Sequence, residues 1–465
     1  MGASKSDRDA EAMAKFARRG KVIELPRDAD REPTPPEFSD DALAAEFTLR
    51  YGDDLRHVAA WHKWLQYDGR RWAEDRVTRV YDLVRSVCRD KAASAKDERL
   101  ARQLASAKTV AAVERLARSD PKHATVPEAF DADDHLLNTP GGTVDLRTAQ
   151  LRPHRREDLL TKITAVTPDD DADDSTWQQF LADITCGNVE LQHYLQRLIG
   201  YCLTGDVRDH ILAFFHGPGA NGKSTLLDVL LYLLGEYAKQ ISAETLTEAR
   251  GERHPTDIAN LLGVRLAVSS ELEEGQHWAE ARVKSLTGDA MLAGRFMRTD
   301  FFEFRRTHKH IIAGNHRPAI RVVDDAIRRR IHLVPFLARF GGANMDRDMP
   351  AKLRAEGAAI LAWAIGGALS WASAGLAPPT AVLAATDDYL TSQDTLGLWL
   401  DEACNTSDPE AATRSSALYS RFRDWKESRG ERATSQVRFS GQLEARFRKA
   451  REGSGHVMFY GVSLK

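Results

Sequence analysis

Cysteine is scarce in this sequence, and the spacing of the few cysteines excludes two kinds of stabilised domain. The 465 residues contain four cysteines, Cys88, Cys186, Cys202 and Cys404. No two of them form the C-x-x-C pair that is typical of zinc ribbons, and a disulfide framework would need closer and more numerous pairs. We therefore expect a protein of a reducing cytoplasm.

Strong net charge and a signal peptide are also missing. The formal net charge is -3, so a nucleic-acid-binding surface has to be local rather than a property of the whole chain. The N-terminus has no apolar signal-peptide core, and no run is expected to approach the ~18 apolar residues of a membrane span. We expect no membrane partner and a soluble protein of about three domains.

The sequence does contain a glycine-rich motif between an apolar run and a helical pattern. Residues 217–225 read G-P-G-A-N-G-K-S-T and fit G-x-x-x-x-G-K-[ST]. Such a loop points backbone N–H groups at phosphate oxygens, and the following helix adds its positive end. We expect Lys223 to reach the β- and γ-phosphates of ATP and Ser224 to ligate Mg²⁺. The expected nucleotide-binding residues are Gly217, Pro218, Gly219, Ala220, Asn221, Gly222, Lys223, Ser224 and Thr225.

A predicted strand at 264–268 runs into an acidic segment that suits metal binding or water activation. Glu271 is the nearer carboxylate and Glu273 the second. Either would serve Mg²⁺ or orient the attacking water if this strand ends beside the phosphate loop. Ser270 stands where an aspartate usually precedes the glutamate. The pattern therefore leaves open whether Glu271 handles metal, water or both.

Two polar features follow later strands. Asn315 comes just after the predicted strand 310–313 and is expected to hold the lytic water or sense the γ-phosphate; a simple turn is the alternative. Arg328, Arg329 and Arg330 precede another apolar strand. An arginine neutralises charge developing on a transferred phosphoryl group. Arg329 or Arg330 is expected to do so for a neighbouring subunit, whereas Arg328 is expected to be structural.

Basic residues also accompany a predicted hairpin, with strands at 291–298 and 301–304. Arg295 and Arg298 lie near its tip and Lys284 precedes it. Placed in a channel, these cations would grip the phosphates of single-stranded DNA. The alternative is a surface hairpin without a ligand.

The two ends of the chain suggest smaller domains. The aromatic segment Trp64–Trp72 predicts a β-hairpin that packs as core, with base stacking as the alternative, and residues 136–146 predict a second hairpin. Residues 394–465 predict two helices, a basic third helix at about 438–451 and a hairpin. This is the layout of a winged-helix domain, in which Arg446, Arg448 and Lys449 would contact DNA.

The order of these features resembles the superfamily 3 helicases, in particular the helicase halves of phage-, plasmid- and poxvirus-type primase–helicases. The resemblance covers roughly residues 40–465 and is strongest over 205–340. The matching phrases are Ser270-Glu271-Leu272, Lys284-x-Leu286-Thr287-Gly288-Asp289, Asn315-x-x-Pro318 and Arg329-Arg330-Ile331.

The resemblance implies a hexameric AAA+-like ring ATPase that moves along single-stranded or forked DNA, usually 3′ to 5′, in phage or plasmid replication inside a bacterial cell. We expect no primase domain in this chain, so a separate primase or polymerase is an expected partner. The alternative is a DNA-binding initiator or loader in which ATP controls assembly without processive unwinding. A ring ATPase for defence or packaging is a third possibility.

The expected fold class is α/β, with an AAA+-like P-loop ATPase core, an N-terminal α+β domain and a C-terminal winged-helix domain. The expected domains are a leader (1–40), the N-terminal domain (41–170), a helical collar (171–210), the ATPase domain (211–345), a helical extension (346–380) and the winged-helix domain (381–465).

Overall fold

The computed structural model describes residues 34–248, 256–270, 274–297, 300–341, 346–444, 446–451 and 455–465. The N-terminal part combines helices with a small mixed sheet in the order β3-β2-β1-β4. Its first helix is capped by Ser39, whose hydroxyl accepts a hydrogen bond from the Ala42 amide at 3.1 Å. The elements are α1 Asp40–Tyr51, β1 Leu55–Val58, β2 Lys63–Tyr67, β3 Trp72–Glu74, α2 Arg79–Ala93, α3 Glu98–Leu104, α4 Ala107–Ala117 and β4 Ala124–Thr125.

The aromatic segment forms the predicted hairpin and packs as core. β2 and β3 are antiparallel, with Tyr67 opposite Trp72. The side chains of Trp64 and Trp72 are buried, and Trp64 Nε1 donates a hydrogen bond to Glu114 Oε1 at 2.6 Å. The structure thus confirms the core interpretation for these two tryptophans, since buried rings are not free to stack on bases.

A second antiparallel sheet and two helices lead towards the motif. β5 Leu136–Thr139 pairs with β6 Gly142–Asp145, as predicted, and β6 pairs with β7 Gln150–Arg152. α5 Ser175–Ile184 and α6 Val189–Leu203 follow. Asn138 is fully buried beside β6, where its Nδ2 donates to the carbonyls of Arg70 and Lys162 at 3.0 and 3.1 Å.

A five-stranded parallel sheet holds the glycine-rich motif. Its order is β14-β8-β13-β10-β9, so the strand that enters the motif, β8, is paired on both edges. Most of its residues are buried, as parallel strands covered on both faces require. The elements are β8 Leu212–His216, α7 Lys223–Leu234, β9 Ala238–Gln240, α8 Thr256–Ala259, β10 Leu266–Ser269, α9 Glu280–Gly288, β11 Met291–Gly294, β12 Phe302–Arg305, β13 Lys309–Gly314, α10 Asp325–Arg328 and β14 Ile331–Pro335.

Two buried cations fasten the amino ends of β10 and β13 to the C-terminus of α6. Arg265 donates to the Leu203 carbonyl at 2.6 Å, and Lys309 donates to the carbonyls of Thr204 and Asp206. Helix C-terminal carbonyls carry partial negative charge and can hold a cation without a carboxylate. Burial nevertheless lowers the pKa of Lys309 to about 7, because the charged form is desolvated.

The helices after the sheet pack on its outer layers. α11 Met349–Ala355 and α12 Gly357–Ala374 form the predicted apolar helices, and α13 Thr380–Gln393 packs against β14. Residues 381–465 were expected to form the C-terminal domain. α13 lies almost wholly within that range, yet it contacts the parallel sheet. Tyr389 of α13 is buried there and accepts a hydrogen bond from Trp278 Nε1 at 2.8 Å.

The helix α12 is longer and more apolar than expected, because no run was expected to approach the length of a membrane span. By length and composition it could also cross a membrane, but 56% of it is buried inside the protein. It packs against α6 so closely that a Cβ at Gly200 would lie 2.1 Å from the Ala368 nitrogen, and one at Gly367 would lie 2.0 Å from the Gln196 carbonyl oxygen. Its apolar character thus serves a helix–helix contact within the chain.

The C-terminal unit corrects one part of the prediction. The predicted basic helix ends at Glu444, and Arg448–Arg451 form a strand antiparallel to Val457–Tyr460. Its core contains Trp399, Phe422, Phe439 and Phe459. The elements are α14 Thr395–Ala403, β15 Cys404–Asn405, β16 Ala412–Arg414, α15 Ser415–Ser428, α16 Gln436–Glu444, β17 Arg448–Arg451, β18 Val457–Tyr460 and β19 Ser463–Leu464.

The contact between α6 and α12 gives a stability prediction. Gly367→Ala is expected to destabilise the protein by about 1–3 kcal/mol, because its methyl group would meet backbone that cannot rotate away. Urea denaturation measures this. Gly366→Ala is the matched control: its Cβ would come no closer than 3.7 Å to Gln196 Nε2, and it should be neutral or stabilising by up to ~1 kcal/mol. Equal effects of both variants would contradict the close-contact explanation.

Candidate functional site

The candidate site lies where the carboxyl ends of β8, β10 and β13 meet. The loop after β8 carries the glycine-rich motif, and Asn315 follows β13, the neighbouring strand. Ligands of open parallel sheets bind at this edge, outside the strand ends. The strand order therefore brings together residues that are almost a hundred positions apart.

The loop between β8 and α7 is held tightly against β14. A Cβ at Gly217 would lie 2.0 Å from the Phe336 carbonyl oxygen, so only glycine fits there. Asn221 is buried and donates from Nδ2 to that same oxygen at 3.1 Å. Ala220 and Gly222 adopt positive φ values of 56° and 83°, and Phe340 N–H donates to the Ala220 carbonyl at 2.7 Å. The loop shape is thus fixed from both sides.

Lys223 is buried at the start of α7 and is surrounded by oxygen acceptors. Its Nζ donates to the Gly217 carbonyl at 2.9 Å, to Asn221 Oδ1 at 2.9 Å and to Asn315 Oδ1 at 3.1 Å. The structure gives it no carboxylate partner among the residues it describes. Burial lowers the pKa of Lys223 to about 8, because the ammonium is desolvated without a counter-charge. An anion at this point would supply the missing charge.

The end of β8 is neutral rather than positive. Desolvation, and then the positive charges of Arg317 and Lys223, lower the pKa of His216 to about 4. The imidazole is therefore uncharged at neutral pH. Lys223 is thus left as the cation inside the loop.

A cleft of about 320 Å³ opens beside Lys223. Ser224 from α7, Ser270 at the end of β10 and Asn315 line it, and Ser224 is exposed. The first turn of α7 offers backbone N–H groups without a side-chain cap. Free amides at a helix N-terminus attract anions. Further lining residues are Leu227, Asp228, Leu231, Gln240, Val268, Ala313 and Gly314.

The two predicted carboxylates, Glu271 and Glu273, lie outside the residues that the structure describes. Their roles in metal binding and water activation stay predictions. Ser270 is the last described residue before them and lines the cleft.

The structure distinguishes Arg329 from Arg330, whereas the sequence left open which of them acts on a neighbouring subunit. Arg330 is buried, and its guanidinium donates to Thr287 Oγ1 at 3.1 Å and to the Ala326 carbonyl at 2.7 Å. Arg329 is exposed. Arg328 lies 3.7 Å from an Asp387 oxygen, in keeping with a structural role. A side chain that has to reach another subunit must be free to extend, so Arg329 is the better placed of the two.

The hairpin exists as predicted, with β11 and β12 antiparallel. Arg295 is exposed beyond β11 and its guanidinium lies 4.8 Å from the centre of the Phe301 ring, which is itself 62% exposed. Arg298 lies outside the described residues. Lys284 is not near the tip but is ion-paired with Asp324 at 2.5 Å. Its expected DNA contact would require that pair to open.

The base of the hairpin is fixed by two arginines. Arg305 of β12 forms a bidentate ion pair with Asp134 in the N-terminal part. Arg306 is buried and donates to the carbonyls of Asp289 and Val207 at 2.8 and 3.2 Å. Burial lowers the pKa of Arg306 to about 10, which still leaves it charged at neutral pH. The tip of the hairpin is thus exposed, whereas its base is held by contacts within the protein.

The three C-terminal cations that were expected to contact DNA all have partners within the protein. Arg446 pairs with both oxygens of Asp394 at 2.7 Å, and Lys449 pairs with Glu444 at 2.8 Å. The Arg448 guanidinium lies 4.2 Å from the centre of the Tyr460 ring. Arg448 and Lys449 are on strand β17, not on the expected third helix. Their DNA contacts stay a prediction.

A larger cavity, of about 570 Å³, lies in the N-terminal part, away from the loop. Its lining carries two arginines, Arg56 and Arg156, and two carboxylates, Asp53 and Glu157. The charges balance, so this cavity shows no preference for an anion.

Sequence reasoning missed Asp228 and Gln240 in the cleft. Asp228 was detectable, since it follows Ser224 by four residues on a predicted helix and must share its face. Gln240 was not, because the edge strand β9 reaches the cleft only through the strand order of the sheet.

Two family models match the chain. A family described as D5 N terminal like matches residues 44–186, and a family of unknown function (DUF5906) matches residues 215–330. The second match includes the glycine loop, Asn315 and the arginines before β14.

Viral proteins are among the relatives. "Putative helicase L207/L206" of Acanthamoeba polyphaga mimivirus is 27% identical over 217 residues, covering 45% of this chain and 22% of the relative. "Putative helicase 022R" of Frog virus 3 (isolate Goorha) is 26% identical over 329 residues, covering 64% and 31%. "Primase D5" of Fowlpox virus (strain NVSL) is 29% identical over 158 residues, covering 33% and 20%.

These matches support a D5-like helicase/primase family. The chain spans between 20% and 31% of the length of these curated relatives. The solved structure of the NrS-1 C terminal region matches with a TM-score of 0.51 at 9% identity, covering 91% of this chain and 100% of that one. This likeness shows the fold alone, a mixed α/β arrangement with a parallel sheet.

Proposed function

We propose that this chain is an ATP-dependent DNA helicase subunit that works in a ring during phage, prophage or plasmid replication. One observation carries the proposal: Lys223 Nζ, in the glycine loop after β8, lies 3.1 Å from Asn315 Oδ1, after β13, at the mouth of a cleft. A phosphate-binding cation and a polar amide that senses the γ-phosphate have to meet in this way.

The residues present fit a Mg²⁺-bound nucleoside triphosphate. Lys223 is a desolvated cation without a carboxylate among the described residues, and α7 has an uncapped N-terminus next to it. ATP would supply the phosphoryl group that is lost, with Mg²⁺ neutralising its charge. Ser224, which is exposed at the start of α7, would hold the ion. Lys223 would exchange the loop carbonyls for phosphate oxygens, and Asn315 would orient the water or the γ-phosphate.

The names of the relatives favour a helicase over other uses of ATP. Two viral relatives are named helicases and one is named a primase. The exposed Arg295 and Phe301 at the hairpin tip suit single-stranded DNA, since arginine binds phosphate and an exposed ring stacks on a base. Arg329 would reach the γ-phosphate bound by the neighbouring subunit. The ring is proposed to be hexameric and to move 3′ to 5′, with a primase or polymerase as partner.

The rival is an initiator or loader that hydrolyses ATP to control assembly. Its DNA contacts would come mainly from the C-terminal unit. The pairing of Arg446 and Lys449 within the protein favours the helicase, because these two cations are in ion pairs, whereas no described residue forms an ion pair with Arg295.

Strand separation is the direct test. The wild-type protein is expected to unwind a forked duplex with ATP and Mg²⁺, and Lys223→Ala to lose both ATP hydrolysis and unwinding by at least about a hundredfold, since the phosphates lose their charged ligand. Hydrolysis and fork assays measure the two. Unwinding by Lys223→Ala would contradict the proposal. Hydrolysis without unwinding by the wild type would favour the loader.

The trans role of Arg329 has a separate test. Arg329→Ala alone is expected to lose hydrolysis while keeping its thermal stability, because its side chain is exposed. Mixing it with Lys223→Ala should recover part of the activity, since a mixed ring contains interfaces with an intact lysine facing an intact arginine. Arg330→Ala is the control and should lower stability instead, because Thr287 and Ala326 lose their donor. Absence of recovery in mixtures would contradict a shared site.

The hairpin contact predicts a change in salt dependence. Arg295→Ala is expected to weaken single-stranded DNA binding uniformly across sequences and to reduce the salt slope by about 1, as for one lost phosphate contact. Fluorescence anisotropy across a salt series measures this. Lys284→Ala, at an ion-paired position, should change the slope less. An unchanged slope for Arg295→Ala would remove the hairpin from the DNA path.

A further inference from the structure

The cleft beside the glycine loop contains a carboxylate that has no role so far. Of the described residues that line it, Asp228 carries the one carboxyl group. The side chain is exposed, and it makes no hydrogen bond or ion pair with any residue that the structure describes. Asp324, by contrast, forms an ion pair with Lys284. An unpaired carboxylate facing a cleft is available to a cation.

Asp228 stands one helical turn from the hydroxyl that would hold Mg²⁺. Ser224 and Asp228 are both on α7, and both line the cleft. Residues four apart on a helix lie on the same face with Cβ atoms about 5–6 Å apart. A ligand oxygen lies about 2 Å from Mg²⁺, and the waters on the ion extend that reach, so this spacing places the Asp228 carboxylate within reach of a water on an ion held by Ser224.

The opposite wall of the cleft explains why such a carboxylate would be useful. Among the described residues at the end of β10, Ser270 is the polar one that lines the cleft, and its hydroxyl brings no negative charge. Mg²⁺ keeps several waters when it binds a nucleotide and needs acceptors for them. A carboxylate on α7 supplies a negatively charged acceptor, whereas the Ser270 hydroxyl is uncharged.

We propose that Asp228 is a positioning residue for the nucleotide-bound Mg²⁺: it accepts hydrogen bonds from waters on the ion and so raises the affinity of the site for the metal. The inference rests on the proposed function, because it presumes a nucleotide at the glycine loop. It adds a residue on the helix to the metal site that the sequence assigned to Ser224 and Glu271.

A metal-positioning role makes a prediction that a structural role does not. Without Mg²⁺, the Asp228 carboxylate repels the nucleotide phosphates, so its removal should leave metal-free nucleotide binding unchanged or tighter. With Mg²⁺, the same removal should weaken the metal. Loss of an outer ligand of this kind typically costs 10–100-fold in metal affinity. A merely structural defect would weaken both forms of binding together.

The test compares wild type with Asp228→Asn. Binding of a fluorescent ADP derivative is measured in EDTA and then across a MgCl₂ titration, with melting temperature as the check on folding. We expect the Mg²⁺ concentration for half-saturation to rise about tenfold or more, with EDTA affinity not reduced. Asp388→Asn is the matched control, since Asp388 is also exposed in mid-helix, on α13, but does not line the cleft. It should match the wild type in both measurements.

The outcomes separate this inference from the function on which it rests. If the wild type binds nucleotide with a clear Mg²⁺ dependence and Asp228→Asn is indistinguishable from it, the role of Asp228 is wrong and the proposed function stands. A loss of affinity in EDTA and in Mg²⁺ alike would also overturn the inference. If the wild type binds no nucleotide under either condition, the proposed function fails and the inference fails with it.

Discussion

The pairing of β8 on both edges is the constraint on which the site depends. β8 runs between β13 and β14 in parallel register, with His216 opposite Gly314 on one side and Pro335 on the other. The loop that leaves β8 therefore emerges between the two neighbouring strand ends. One neighbour provides the Asn315 amide that meets Lys223, and the other provides the Phe336 carbonyl that holds Asn221. A different strand order would leave the same motif with different neighbours.

The charge of the site follows from its burial. Lys223 is desolvated and is held by uncharged oxygens, and the pKa values of both Lys223 and His216 are lowered. The loop thus carries a cation that is costly to bury and an uncharged imidazole beside it. An anion bound beside it would offset part of the free energy that burying the cation costs. This arrangement supports the proposal that the ligand of the loop is a phosphate.

Much of the fold could be predicted because local patterns and tertiary packing agree. The three strands at the motif, the two hairpins of the N-terminal part and the β11–β12 hairpin were all visible as apolar runs between turn residues. The prediction of a helix over 448–451 was wrong. Arg, Lys and Ala favour a helix locally, but pairing with the apolar strand Val457–Tyr460 makes this segment a strand. Partners such as Asp394 for Arg446, 52 residues away, leave no periodic signal in a single sequence. The choice between Arg329 and Arg330 likewise depends on burial that their adjacent positions do not reveal.

If the hairpin moves DNA as proposed, its fixed base limits how that movement can occur. Arg305 is ion-paired with Asp134, and Arg306 donates to the Asp289 and Val207 carbonyls, so the base of the hairpin cannot slide relative to the N-terminal part without breaking the bidentate ion pair. A stroke of the tip must then come either from bending beyond Gly294 and Phe302 or from rotation of a whole subunit as one rigid lever. Both leave the ion pair with Asp134 intact, but in the second the N-terminal part would move together with the parallel sheet that holds the glycine loop.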